Sequence, residues 1–180
     1  LVITAITAQN TKGVTAVEDI SAGVIAAQMD AVFSDLDIRA VKIGMVSRID
    51  TICTIAKRLR RQPQPVVLDP VMVATSGDRL LQEEAVETLR AELLPLATLA
   101  TPNLPEAALL SRSAIAADRA EAIRQAERIL ATGVRAVLIK GGHSSGPDSI
   151  DLLLDGESLQ EFSMPRIETK NDHGTGCTLA

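Results

Sequence analysis

Asn171-Asp172-His173-Gly174-Thr175-Gly176-Cys177-Thr178-Leu179-Ala180 is the stretch of this sequence that speaks most directly of chemistry. Glycines at 174 and 176 let backbone N–H groups converge on one point without a Cβ in the way. A helix beginning there adds its positive end, so the turn would form an anion hole. Such a hole suits the charge that develops on a transferring phosphoryl group. Cys177 would stand at the helix start, where a thiol loses its proton more easily. The same residues read equally well as a plain glycine turn with Cys177 as a small buried hydrophobe. Two rival glycine motifs fail on spacing. A P-loop needs Gly-Lys before Ser or Thr, and the chain has no Gly-Lys pair. A dinucleotide fingerprint counted from Gly174 would need a small sixth residue, where Leu179 stands.

Further segments place charge just after short apolar runs. Val67-Leu68-Asp69-Pro70-Val71-Met72 and Thr101-Pro102-Asn103-Leu104-Pro105-Glu106 each put a carboxylate there. Alone, Asp69 is a turn former, and Glu106 complements the dipole of a helix whose first turn holds Pro105. Together they have the makings of a Mg²⁺ site, in which one or two carboxylates act with phosphate and water. Leu138-Ile139-Lys140-Gly141-Gly142-His143 supplies a cation and two glycines. A lone Lys after a strand is usually solvated, but here its ammonium could meet phosphates while the glycines let a nucleotide pass close to the backbone. His143 is a turn residue on this reading. Gln9, in Thr4-Ala5-Ile6-Thr7-Ala8-Gln9-Asn10-Thr11, offers both donor and acceptor to the polar edge of a flat heterocycle. Met45, after Lys42-Ile43-Gly44, is a soft side chain able to pack on a flat ring.

The elements that must position these groups alternate. Apolar runs predict strands at Val2–Thr7, Val41–Gly44, Pro65–Leu68, Thr98–Ala100 and Ala136–Lys140, several without the alternation of a one-sided sheet. Ser21 is a plausible N-cap for a helix with apolar face Val24, Ala27, Ala31 and Val32. Further helical stripes are Ile49, Ile52, Ile55, Ala56 and Leu59; then Val86, Leu89 and Leu93, stopped by Pro95. A last stripe is Ile123, Ala126, Ile129 and Leu130, closed by Gly133. Ile150–Leu154 and Leu159–Met164 read as a strand pair around Asp155-Gly156. Repeated strand–helix alternation predicts an α/β fold with a mainly parallel sheet covered by helices on both sides. Ligands of such sheets sit beyond the carboxyl ends of the strands.

Composition narrows the function. The 180 residues are 46% hydrophobic but only 1% aromatic, with no Trp or Tyr, so the core must be aliphatic. Net charge is -5 with no basic run, which argues against nucleic acid as a partner. No apolar stretch approaches the ~20 residues that span a bilayer. Cys53 and Cys177 lie far apart without metal-ligand spacing, as in a reduced cytoplasmic chain. The chain opens inside an apolar run at Leu1-Val2-Ile3-Thr4 and closes as a helix begins. The expectation is one domain, residues 1–180, cut at both ends.

These segments, in this order, resemble the bacterial hydroxymethylpyrimidine/phosphomethylpyrimidine kinases of the ribokinase-like superfamily. Phe33-Ser34-Asp35 and Ser76-Gly77-Asp78 add to the match, which runs over nearly the whole chain. The Gly-Thr-Gly-Cys form distinguishes them from sugar kinases, which usually carry Asp in place of the Cys. The resemblance implies a three-layer α/β/α sandwich that moves the γ-phosphoryl of Mg-ATP to the pyrimidine hydroxymethyl group, then phosphorylates the monophosphate to the diphosphate. It implies that Gln9, Met45 and Val71 line the pyrimidine site, and that Asn103, Lys140 and Gly142 meet ATP. Asp69 and Glu106 would act around Mg²⁺. Cys177 would activate the acceptor, with the amides of Gly174, Thr175, Gly176 and Cys177 as anion hole. It also admits a homodimer. The sequence departs from the family in lacking its opening glycine-rich segment, and Asp172 stands where Thr is common. Pyridoxal or sugar phosphorylation, and a non-catalytic ligand-binding domain, are the competing readings.

Overall fold

In the computed structural model, residues 1–10, 13–72, 81, 83–143, 147–167 and 178–180 are described. Two strands, β1 (Ala5–Asn10) and β2 (Gly13–Asp19), form an antiparallel hairpin of their own, with a bulge between Ala8 and Gln9. The other strands are β3 (Val41–Ile43), β4 (Val66–Leu68), β5 (Leu99–Ala100), β6 (Ala136–Ile139), β7 (Asp148–Leu154) and β8 (Leu159–Pro165). They make one six-stranded sheet in chain order, β3-β4-β5-β6-β7-β8. The pairs from β3 to β6 are parallel; β6-β7 and β7-β8 are antiparallel. Among the described residues, the helices are α1 (Ala22–Asp35), α2 (Ile49–Leu59), α3 (Glu83–Glu92), α4 (Leu104–Ser111) and α5 (Arg119–Leu130).

Strand order fixes where the helices go. Parallel strands that follow one another across a sheet need right-handed crossovers, and successive crossovers in one direction put their helices on one face. In agreement, α1 packs on α2, α2 on α3, α3 on α4 and α4 on α5, and α5 reaches β6 and β7. Under this layer lie Ile43, Leu68, Ala100, Val137, Ile139 and Leu152, one parity of each strand, all buried. Burying an aliphatic side chain of this size stabilises a fold by roughly 1.5–3 kcal/mol, so this layer is the main cohesive term. Residues of the other parity, Val67, Leu99, Leu138 and Leu153, are only partly buried. That face continues onto β8 through Phe162 and Met164, which are 50% and 69% exposed.

Most expected elements form, with two corrections. The first strand is displaced from Val2–Thr7 to Ala5–Asn10 and pairs with β2, for which no strand was expected. Gly13–Asp19 has only two valines, too weak a pattern to announce a strand, and the hairpin partner supplies what the pattern lacks. Residues ahead of β1 are tied elsewhere: Ile3 exchanges backbone hydrogen bonds with the Gln28 side chain on α1, both at 3.0 Å. The second correction concerns α1. Ser21 is its N-cap, accepting from Val24 N, but the buried residues are Ile25 and Met29, and Val24 is 52% exposed. Apolar residues lie all round this helix, so periodicity cannot choose its inward face. The remaining stripes fall on buried helix faces, except that Ile49 is 46% exposed. Gly133 lies one residue beyond the C′ position expected for it, since Ala131 caps α5, and its φ of +106 is a backbone that favours glycine.

The Gly141-Gly142 pair divides into two roles. A Cβ at Gly141 would stand 1.8 Å from the carbonyl oxygen of Ile150, so glycine there lets the chain pass against β7. At Gly142 a Cβ would meet nothing within 4 Å among the described residues. Gly141→Ala is therefore expected to destabilise the protein by about 3 kcal/mol through backbone displacement. Gly142→Ala should stay within about 0.5 kcal/mol. Urea unfolding of both variants checks this, and similar midpoints would remove the steric explanation.

Candidate functional site

At the carboxyl ends of the parallel strands the partly covered face turns polar. Lys42 lies within β3, and Asp69, Thr101 and Lys140 directly follow β4, β5 and β6. Each alternates with a buried neighbour (Ile43, Leu68, Ala100, Ile139), so all four belong to the face opposite the helices. The ladder carries on past the strands and holds them in line. Asp69 N donates to Ile43 O at 2.8 Å, Thr101 N to Leu68 O at 2.9 Å and Lys140 N to Pro102 O at 2.8 Å.

Asp69 is the hub. It is 1% exposed, and its Oδ1 accepts from Lys140 Nζ at 2.8 Å and from Thr101 Oγ1 at 3.4 Å. Its Oδ2 accepts no hydrogen bond among the described residues, although Lys42 Nζ stands 3.5 Å away. We read the Lys42 contact as charge attraction at a length where directional bonding is weak. Such a buried carboxylate is tolerable only with cations close by, because removing its partner leaves an uncompensated charge.

Glu106 comes from the next layer outward. Asn103, the N-cap of α4, accepts from Glu106 N at 2.9 Å, and Glu106 Oε2 accepts from Asn103 N at 2.8 Å, a complete capping box. Glu106 Oε1 accepts from Met72 N at 3.4 Å, so one side chain ties the start of α4 to the segment after β4. Asn103 also bridges to Lys140 across the sheet ends. Burial, first of all, pushes the Glu106 carboxyl up to about 7; the Asn103 amide and Lys140 pull it down, while Asp69 pushes it further up. Asp69, Glu106 and Lys140 therefore feel one another, as a single electrostatic site requires.

The donor set suits Mg²⁺ in the sparse manner of nucleotide enzymes, through one or two carboxylates completed by phosphates and water. Asp69 Oδ2 is a buried acceptor with no hydrogen bond among the described residues, and the Glu106 oxygens keep lone pairs beside their amide bonds. Among the described residues no cluster of three His, Cys, Asp or Glu could hold a metal by itself.

The other expected residues are more dispersed. Met45 is partly buried after β3, and its carbonyl accepts from Thr4 Oγ1 at 3.0 Å. It lines a cavity of about 520 Å³ between residues 1–5 and β3, walled mainly by apolar groups such as Val2, Phe33 and Val46. Val71 is partly buried two residues beyond Asp69. Gln9 is exposed on the β1–β2 hairpin and is not part of that cavity wall. Gly142 is exposed beside Lys140. Gly174, Thr175, Gly176 and Cys177 lie outside the described residues, as do Thr11 and Ser76-Gly77-Asp78. Sequence reasoning gave no role to Lys42 or Thr101. A charged residue inside the three-residue strand Val41–Ile43 was the available signal for the first; nothing short of register marks the second.

The Glu106 carboxyl makes stability depend on pH. Its folded-state value lies above the ordinary carboxyl value of 4.5, so the folded state binds the proton more tightly. That contribution is complete below pH 4.5 and is lost as pH rises through about 7. The full loss is about 3 kcal/mol. Unfolding free energies of wild type and Glu106→Gln between pH 4.5 and 8 should converge at the acid end and diverge at the alkaline end, with Gln the flatter. Parallel curves would show that Glu106 does not titrate there.

Comparison with known proteins follows the same line. The family model for phosphomethylpyrimidine kinase matches residues 1–180. The chain is 64% identical over 179 residues to the hydroxymethylpyrimidine/phosphomethylpyrimidine kinase of Rhizobium meliloti, covering 99% of this chain and 67% of that protein. The crystal structure of phosphomethylpyrimidine kinase from Clostridium difficile superposes with TM-score 0.80 at 45% identity, over 89% of this chain and 69% of the other. Bacillus subtilis pyridoxal kinase, in an ADP complex, superposes with TM-score 0.86 at 34% identity, over 97% of this chain and 66% of the other. The chain thus spans about two thirds of the length of these relatives. The fold is an α/β sandwich of ribokinase-like type with a mixed, mainly parallel sheet. With its whole length matched and its sheet superposed on solved members, this chain belongs to the phosphomethylpyrimidine kinase family.

Proposed function

We propose that this chain carries the core of an ATP-dependent kinase that phosphorylates 4-amino-5-hydroxymethyl-2-methylpyrimidine, then its monophosphate, in the synthesis of thiamine diphosphate. The observation that carries the reading is Asp69, buried at the carboxyl ends of parallel strands, hydrogen-bonded to Lys140 and within electrostatic reach of Glu106. Phosphoryl transfer asks for positioned charge more than for covalent chemistry, and this arrangement supplies both signs at one edge of the sheet.

In this reading Lys140 and the open backbone at Gly142 receive the ATP phosphates, with Asn103 holding the start of α4 beside them. Asp69 and Glu106 would hold Mg²⁺, which when bound would offset negative charge on the ATP phosphates. Met45 and Val71 pack against the pyrimidine and Gln9 meets its polar edge. Cys177 activates the acceptor hydroxyl, and the amides of residues 174–177 face the moving phosphoryl group. We extend the reading to a cytoplasmic enzyme that pairs as a homodimer. Among the described residues no helix is long and apolar enough to cross a membrane. Ile6 on one face of the β1–β2 hairpin and Val17 on the other, 58% and 45% exposed, leave apolar side chains for a second copy to cover.

The likeness to pyridoxal kinase favours a second acceptor, since pyridoxal also presents a hydroxymethyl group on a six-membered heteroaromatic ring. Steady-state rates with hydroxymethylpyrimidine, its monophosphate, pyridoxal and a sugar, measured on the protein at its relatives' full length, separate the readings. Both pyrimidines should be turned over with the highest kcat/KM. A preference for pyridoxal or sugar, or ATP binding without transfer, would overturn the assignment. Cys177→Ala should lose far more kcat than ATP affinity, at least a hundredfold on the scale usual for acid–base assistance. Equal loss of both would contradict its role at the acceptor.

A further inference from the structure

Gly141 and Gly142 follow Lys140, where the reading above brings the ATP phosphates. Adjacent glycines carry the greatest backbone freedom of any pair, and a loop left free must give it up when a ligand binds. The ladder from β5 reaches as far as Lys140, whose N donates to Pro102 O at 2.8 Å. One residue on, a side chain holds the backbone: Gly141 N donates to Asp151 Oδ1 on β7 at 2.7 Å. Gly142 O in turn accepts from Arg166 Nη1 at 2.8 Å.

Both holding residues stand on the antiparallel hairpin β7–β8 or just past it, and both are partly buried. Arg166 is itself fixed, since its N donates to Pro147 O at 2.8 Å, ahead of β7. Its Nη2 lies 3.5 Å from Asp148 O, a length at which bonding is weak. The close pass of Gly141 against Ile150 sets how near the loop comes to β7. The two side chains set something else, the direction of its peptide groups. A trans peptide points its C=O and N–H opposite ways. With Gly141 N–H turned to Asp151, the Lys140 carbonyl faces away from that carboxylate. With Gly142 O turned to Arg166, the amide N–H of residue 143 faces away from the guanidinium.

We propose that Asp151 and Arg166 are positioning residues for ATP, a clasp that orients the Gly141-Gly142 backbone before the nucleotide arrives. This rests on the kinase reading above, in which Lys140 and Gly142 meet the phosphates. Neither side chain need touch ATP; each acts through the backbone it holds. The ordering that two free glycines would undergo on binding is thereby completed during folding.

The test uses Asp151→Ala, Asp151→Asn, Arg166→Met and Arg166→Lys in the protein at its relatives' full length. Affinity is read as the Kd of a non-hydrolysable ATP analogue, beside KM and kcat with hydroxymethylpyrimidine. Ala and Met should weaken the nucleotide about tenfold, with kcat at saturating ATP and pyrimidine KM changed less than about threefold. Asn keeps an acceptor oxygen and should bind nucleotide nearly as wild type does; Lys keeps a donor and should recover part of the loss. Unchanged nucleotide affinity in Ala and Met, or equal losses in nucleotide affinity, kcat and pyrimidine KM, would overturn the proposal. Hydrogen exchange on wild type decides the matter if the variants fail to fold. Before nucleotide is added, the Gly141 amide should already exchange at least about a hundredfold slower than an unprotected one. Protection that arises only with nucleotide would overturn the clasp. Wild type that binds no nucleotide would instead defeat the kinase reading beneath it.

Discussion

The polar groups at the carboxyl ends of the parallel strands are arranged around one buried carboxylate. Asp69 is almost wholly withdrawn from water, with a lysine on either side, Lys140 from beyond β6 and Lys42 from β3. An isolated charge at that depth would be expelled or neutralised, so the two lysines are what keep it there. Its position in turn requires β3, β4, β5 and β6 to be neighbours in that order, because Lys42 and Lys140 come from strands on opposite sides of β4. A residue slip in any of these strands would send the charged groups under the helices and the aliphatic ones toward solvent. The sheet's register and the site's charge balance are thus one constraint.

The helices take part less by contact than by what they leave open. Sequential parallel strands place α1 to α5 over one face, and that face takes up the aliphatic core. The opposite parity is freed to carry Lys42, Asp69, Thr101 and Lys140 at its carboxyl edge. The capping box of α4 then adds a second carboxylate, held by backbone amides of Asn103 and Met72. Glu106 is consequently structural and electrostatic together: its bonds to those amides hold the loop, and its burial leaves it near neutrality. A group in that state can change charge when a cation or phosphate arrives, which a fully ionised surface carboxylate would not do.

Much of this could be read in the sequence, for identifiable reasons. Strands β4 to β6 announce themselves as short unbroken apolar runs, each with a strand on either side of it in the sheet, and α3 and α5 because one face alone is apolar. Asp69, Glu106 and Lys140 were visible through position, each just past such a run. What stayed hidden depends on partners far along the chain. The inward face of α1 is decided by packing on α2, and β2 exists through pairing with β1. Thr101 and Lys42 join the site only because register sets them beside Asp69, 32 and 27 residues away in sequence. Gly141 was read as leaving room for a nucleotide, whereas its backbone passes against Ile150. A glycine records that something comes close without saying what.

The scarcity of aromatic residues shapes the site as much as its charges do. Only two phenylalanines are present; Phe33 packs partly against the core and Phe162 stands half exposed on β8. Phe33 stands in the wall of the Met45 cavity, but neither ring borders Asp69 itself, so aliphatic and thioether side chains make up most of the surface open to a flat ring. Aliphatic and thioether walls hold such a ring through contact area, which discriminates poorly between rings of similar size. Selection must then fall to the groups at the ring's margin, where hydrogen bonds and charge distinguish one substituent from another by far larger factors. A site built this way is permissive about the heterocycle and exacting about what hangs from it. That places the burden of choice on the few charged side chains at the strand ends.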